Sequence, residues 1–202
     1  MKTTSNVSSG SVIPDFDQDL MATSKTSSQY DRIMSACKDI FLKKMKDYGT
    51  AWRILRVSSI TDQIFIKAQR IRSIEEKGQQ KIQDGVDSEF IGIINYCVIA
   101  LIQLEMGNID NLEMPVEDVV AHFEKQVDEA KRLMEDKNHD YGEAWRGMRT
   151  SSMTDLILMK LMRIKQIEDN KGATLISEGV AANYYDMINY AAFALIKMSE
   201  EK

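Results

Sequence analysis

Proline is nearly missing from this chain: 202 residues hold two, Pro14 and Pro115, beside ten glycines. Strand-and-turn architectures need such breakers in quantity, so their scarcity, together with thirteen methionines, favours long helices. Cysteine and histidine are just as sparse. Cys37 and Cys97 show no CxxC spacing, and neither His122 nor His139 has a partner at metal-ligand spacing, which argues against zinc and against a disulfide framework. Basic charge is in deficit, 26 Lys and Arg against 31 Asp and Glu for a net charge of -5. A nonspecific grip on a nucleic-acid backbone is therefore disfavoured as the main activity, whereas a small anionic ligand needs only a local basic patch. No apolar run follows Lys2, and the most apolar stretch, Ile91 to Leu104, is short for a bilayer and is interrupted by Asn95, Tyr96 and Gln103. We expect a cytosolic protein without a membrane segment. Residues 1–28, polar and aperiodic, read as a disordered leader.

What the chain does have is enough hydrophobic content for a core, 44%, and an internal repeat. Asp47-Tyr-Gly-Thr-Ala-Trp-Arg-Ile-Leu-Arg56 returns as Asp140-Tyr-Gly-Glu-Ala-Trp-Arg-Gly-Met-Arg149, an offset of 93 that persists through Ser58-Ser-Ile-Thr-Asp62 and Ser151-Ser-Met-Thr-Asp155 to Glu75 and Glu168. One inserted residue then changes it to 94, aligning Ile94-Asn-Tyr96 with Ile188-Asn-Tyr190. The chain is a tandem duplication, with repeats at 29–106 and 116–202 and a Gly, Asn, Asp and Pro linker at 107–115.

Each repeat reads as three main helices. The first runs from Ser28 to Lys46 (Val116 to His139 in the second copy) and stops at Gly49 or Gly142, free to turn left-handed. The second begins at Ser59 or Ser152, where Ser-x-x-Asp makes a capping-box-like start that accounts for Asp62 and Asp155, and ends near Lys77 or Asn170. The third runs from Asp84 to Met106, or Ser177 to Met198, with apolar spacings of three and four. Units this small need to pack together. The predicted fold is all-α: duplicated helical units joined as a pseudo-twofold helix bundle, an internal pseudo-dimer for which further homo-oligomerisation is open.

The repeated residues carry several candidate chemistries. Tyr48, Trp52, Tyr141 and Trp145 either offer aromatic surface to a base or anchor tight turns into the core. Arg53 and Arg146 supply guanidinium forks for phosphate or for a nearby carboxylate. Lys67 and Arg70, and likewise Lys160 and Arg163, share a helical face and can hold a phosphate or tie a bundle together. Glu89-Phe-Ile-Gly92 and Asn183-Tyr-Tyr-Asp186 are the two halves of one E-x-x-D pattern, whose i and i+3 carboxylates could share magnesium. Asp186, on an otherwise apolar face, needs a partner: Lys160, Arg163 or a metal.

The sequence Asp-Tyr-Gly-x-Ala-Trp, then Lys-x-x-Arg-Ile, then Asp-x-x-Asn189-Tyr190 in the second copy and Asn95-Tyr96 in the first, resembles the nucleotide modification associated domain 1 family. Both halves carry the likeness. It implies a part in systems that modify nucleotides or DNA bases, and makes Asn95 and Asn189 candidate ligand contacts. More distantly the pattern is similar to the all-α nucleoside triphosphate pyrophosphohydrolases, which include the MazG proteins. Those bind magnesium through E-x-x-E and E-x-x-D motifs. By that likeness Glu89 and Asp186 are candidate metal ligands, although Lys67/Arg70 and Lys160/Arg163 stand where E-x-x-E belongs; Glu178 is expected to join Asp186 in engaging magnesium or a ligand hydroxyl. The expected function is binding of a nucleotide or other phosphorylated small molecule, with magnesium-dependent pyrophosphohydrolysis as the enzymatic version. The alternative is a non-catalytic helical interaction or scaffold module.

Overall fold

The computed structural model describes residues 16–79, 85–107, 112–170 and 179–201. Six helices form, α1 (Phe16–Tyr48), α2 (Val57–Lys77), α3 (Val86–Met106), α4 (Val116–Tyr141), α5 (Thr150–Asp169) and α6 (Val180–Glu200), and no strand occurs among the described residues. A 3₁₀ turn follows α1 at Ala51–Ile54 and α4 at Ala144–Gly147. The all-α bundle predicted from the scarcity of breakers is thus the observed fold. Both Asp-Tyr-Gly segments end a helix as expected: Gly49 has φ +58° and Gly142 φ +60°, a conformation that a side chain resists.

Two local expectations are corrected. The first helix begins at Phe16, well before Ser28, so the proposed leader is helical from residue 16, while residues 1–15 lie outside the described set. The turn just before Ser28 is fixed by long-range bonds: Thr26 Oγ1 donates to Glu143, and Arg146 Nη2 donates to Thr26 Oγ1 at 2.7 Å. Second, Ser59 and Ser152 do not cap α2 and α5. The N-cap positions are Arg56 and Arg149, with no side-chain cap bond. Asp62 and Asp155 instead reach across the bundle, Asp62 to Lys165 at 2.7 Å and Asp155 to Arg72 at 3.7 Å.

The centre of the bundle is α2, α3, α5 and α6. α2 packs on α3 and α5 on α6 within each repeat, α3 meets α6 and α2 meets α5 between them, and α1 and α4 lie against both α3 and α6. The 21-residue α3 is long and apolar enough to cross a bilayer, but 67% of its apolar window is buried against its neighbours, which is how a core helix spends such a sequence. Contacts between the repeats and within them come in matched pairs under the sequence offset. Thr61 Oγ1 donates to Glu168 Oε1 (3.3 Å) and Thr154 Oγ1 to Glu75 Oε1 (3.1 Å). Asn95 Nδ2 donates to the Cys37 carbonyl (3.1 Å) and Asn189 Nδ2 to that of Ala130 (3.0 Å).

One matched pair is broken. Tyr30 donates its hydroxyl to Asn189 Oδ1 at 2.7 Å, but Phe123 stands at the position matching Tyr30, and Asn95 Oδ1 is buried with no partner. Phe123→Tyr is expected to supply the missing donor and stabilise the fold by about 1 kcal/mol, a rise of roughly 2–4 °C in Tm. An unchanged or lower Tm would contradict this account of the orphaned oxygen.

The paired glutamates predict a pH effect. Desolvation raises the carboxyls of Glu75 and Glu168 above the usual 4.5, outweighing the threonine bonds that lower them. A carboxyl raised in this way holds its proton more tightly in the folded state than in the unfolded chain. It therefore favours the fold when protonated, and stability is lost as pH climbs from 4.5 through the raised value. The double replacement Glu75→Gln and Glu168→Gln should raise Tm at about pH 8 and lose that advantage at about pH 4. Melting curves at both pH values check it, and an equal gain at both would refute it.

Candidate functional site

A cavity of about 620 Å³ opens inside the first repeat, walled by the end of α1, the first 3₁₀ turn, Lys67 of α2 and the first half of α3. Its aromatic side is Trp52 and Tyr96, with Tyr48 at the rim; its charged side is Lys44, Lys67 and Glu89. Apolar residues, among them Phe41 and Ile99, make the floor. The fold puts these groups together for local reasons. The helix stop at Gly49 turns the chain so that Trp52 faces the body of α3. Lys67 on α2 lies over Gly92 of α3 and 5.9 Å from the Tyr96 ring centroid.

Of the residues singled out by sequence, Tyr48, Trp52, Lys67, Glu89 and Asn95 line this one cavity. Glu89, buried, accepts from Lys67 Nζ at 3.1 Å and also pairs with Arg70, so the Lys-x-x-Arg face of α2 is joined to the acidic position of α3. Arg53 points away from the cavity. It is buried, donates to the Gln103 side chain and reaches the Gly107 carbonyl at 3.4 Å, which makes it part of the core. Lys44 makes no ion pair among the described residues.

The second repeat places its counterparts differently. Trp145 is buried and stacks on Phe193, with ring centroids 4.2 Å apart and planes 5° from parallel. Arg146 lies over Trp145 and is consumed by Glu143, Glu200, Gln29 and Thr26. Asp186 finds the partner its setting demands: Lys160 at 2.6 Å, and Lys137 at 2.5 Å besides. Asn189 is spent on Tyr30 and Ala130. Arg163 is half-buried and makes no ion pair among the described residues. Tyr48 and Tyr141 are 71% and 76% exposed, which rules out a core-anchoring role for both.

Glu89 and Asp186 do not form a magnesium site together among the described residues. Glu89 and Asp186 lie in different repeats, each already neutralised by two cationic side chains, and among the described residues no group of three metal-ligating side chains exists. Glu178 lies outside the described residues. The cysteines are free and buried; burial pushes the Cys37 thiol up to about 12 and Cys97 well above its ordinary value, so neither is a ready nucleophile.

Sequence reasoning overlooked Lys44, Tyr96 and the cavity itself. Lys44 had a signal: it matches Lys137 at the repeat offset, just before the Asp-Tyr-Gly segment. The cavity had none, because it depends on how α1 and α3 diverge. The cavity sits within one copy and not between the two.

Fold and site together define an all-helical, internally duplicated protein with an aromatic and lysine-lined cavity in its first unit. The chain belongs to the nucleotide modification associated domain 1 family, whose model matches residues 44–104 and again residues 137–198. The two matches begin at the corresponding lysines, Lys44 and Lys137, and fall one in each repeat. No curated protein and no solved structure matches the chain.

Proposed function

We propose that this chain binds a nucleotide, or a closely related phosphorylated molecule, in the cavity of its first repeat, as part of a nucleotide- or DNA-modification system. The observation that carries the reading is the composition of that cavity. Trp52 and Tyr96 offer flat apolar surface for a base, and Lys44 and Lys67 supply cations for phosphate within a volume of nucleotide size. The family's name supports the same class of ligand. Hydrolysis gains no support from the described donors, because the carboxylates that would hold a metal are engaged by lysine and arginine.

A thermal-shift screen with nucleoside mono-, di- and triphosphates, with and without magnesium, tests the reading. A ligand at 100 times its Kd adds about 2.7 kcal/mol, roughly 5–10 °C in a chain of this size. The shift should vanish in Lys44→Ala and Trp52→Ala variants. No shift from any member at millimolar concentration would sink the proposal. It would favour the second reading, a helical interaction module, which the pairing of Lys67 and Arg70 with Glu89 and of Lys160 with Asp186 supports.

A further inference from the structure

The sequence register maps the cavity onto the second repeat residue by residue. Gly92 and Ile99 correspond to Asp186 and Phe193, Lys44 and Lys67 to Lys137 and Lys160, and Trp52 to Trp145. In the second repeat these counterparts close on each other. The Asp186 carboxylate bridges Lys137 and Lys160, and the Phe193 ring lies flat on Trp145.

We propose that Asp186 and Phe193 are a built-in occupant of the second repeat's copy of the cavity, the carboxylate standing in for a ligand's anionic group and the ring for its planar aromatic group. The chain then keeps one open site, whose anion subsite is the space above Gly92 between Lys44 and Lys67. Its aromatic subsite is the Trp52 face that Ile99 leaves uncovered. For the ligand this rests on the binding reading above; for the closure it rests on the contacts of the second repeat alone.

Charge bookkeeping supports the correspondence. The register matches three cations between the repeats, Lys44, Lys67 and Arg70 with Lys137, Lys160 and Arg163, and in each repeat one carboxylate pairs with two of the three, Glu89 with Lys67 and Arg70, Asp186 with Lys137 and Lys160. Moving the carboxylate by one helical turn changes which cation is left over. With the acid at position 89 the leftover is Lys44, on the cavity; with the acid at 186 it is Arg163, and the lysine pair is closed. Gly92 has room for no side chain as Lys67 now lies, since a Cβ there would meet Lys67 Cε at 2.7 Å. That contact is with the end of a flexible chain, so an aspartate at 92 can displace it and take up the bridging position.

The test moves the acid and never deletes it. The exchange Asn183→Glu, Asp186→Gly and Phe193→Ile should open the second site, and the reverse exchange Glu89→Asn, Gly92→Asp and Ile99→Phe should close the first. In a Trp52→Phe background Trp145 is the sole tryptophan, and acrylamide quenching of its fluorescence should rise several-fold on opening; unchanged quenching would overturn the closure. Titration calorimetry with the common nucleoside triphosphates and inorganic pyrophosphate should give one site per wild-type chain, two after opening and none after closing. Triphosphates should outbind pyrophosphate, which lacks a ring. Two sites in the wild type, or undiminished binding in the closed variant, would overturn the proposal. If the opened variant does not fold, the closed one decides. If the wild type binds no probe, the binding reading fails and quenching alone judges the closure.

Discussion

Replacing Asp186 by alanine should cost about 3 kcal/mol of stability, enough to lower Tm by roughly 6–12 °C. The carboxylate is 6% exposed and Lys160 only 11%, so removal leaves an ammonium group in a site where water reaches it poorly. A surface pair of the same geometry would be worth under about 1 kcal/mol. Lys137, half-exposed, can turn to solvent and softens the loss; Lys160 cannot. Adding Asn183→Glu should restore more than half of the lost stability, because a carboxylate there stands to Lys160 as Glu89 stands to Lys67. Chemical denaturation of the three proteins measures this. A loss below about 1 kcal/mol for Asp186→Ala would show that the pair behaves as a solvated one.

Trp145→Ala should cost roughly 3–4 kcal/mol. The indole is buried, its face is covered by Phe193 and it carries the Arg146 guanidinium at 4.4 Å from its ring centroid. Truncation removes both contacts and leaves a void in the packed interior. The contrasting change is Trp52→Ala. That ring is only partly buried, lies at a cavity, has no stacked ring among the described residues and holds the Arg53 guanidinium farther off, 5.8 Å from its centroid, so its loss should cost markedly less stability while removing the proposed base contact. Equal destabilisation by the two variants would contradict the difference drawn between the repeats.

The sequence disclosed the fold through its punctuation. Glycine stops after both Asp-Tyr segments, absent prolines within the repeats and a register that slips once gave six helices, most with ends within about three residues of those observed. The start of α1 was hidden because Thr26 and Gln29 are polar. Only their bonds to Arg146, Glu143 and Glu200, more than a hundred residues away, give them a structural role. The capping role assigned to Asp62 and Asp155 failed for the same reason: local spacing suited a cap, but Lys165 and Arg72 lay within reach across the bundle. Asp186 was read correctly as a carboxylate in need of a partner, and Lys160 was among those named. Lys137 was not, since it comes from α4, and nothing in one helix announces which side chain of another will meet it.

The packing of α1 and α4 on both α3 and α6 means that each repeat is completed by helices of the other. The joint between α3 and α4 is bonded to the first repeat, through Thr50 to Leu112 and Met114, so its covalent continuity is not what completes either repeat. Cutting the chain there should leave two fragments that complement one another as unlike subunits, and that lose structure on dilution while the intact chain does not. Neither fragment alone would be a domain in the autonomous sense, and the genetic unit of this protein is the pair.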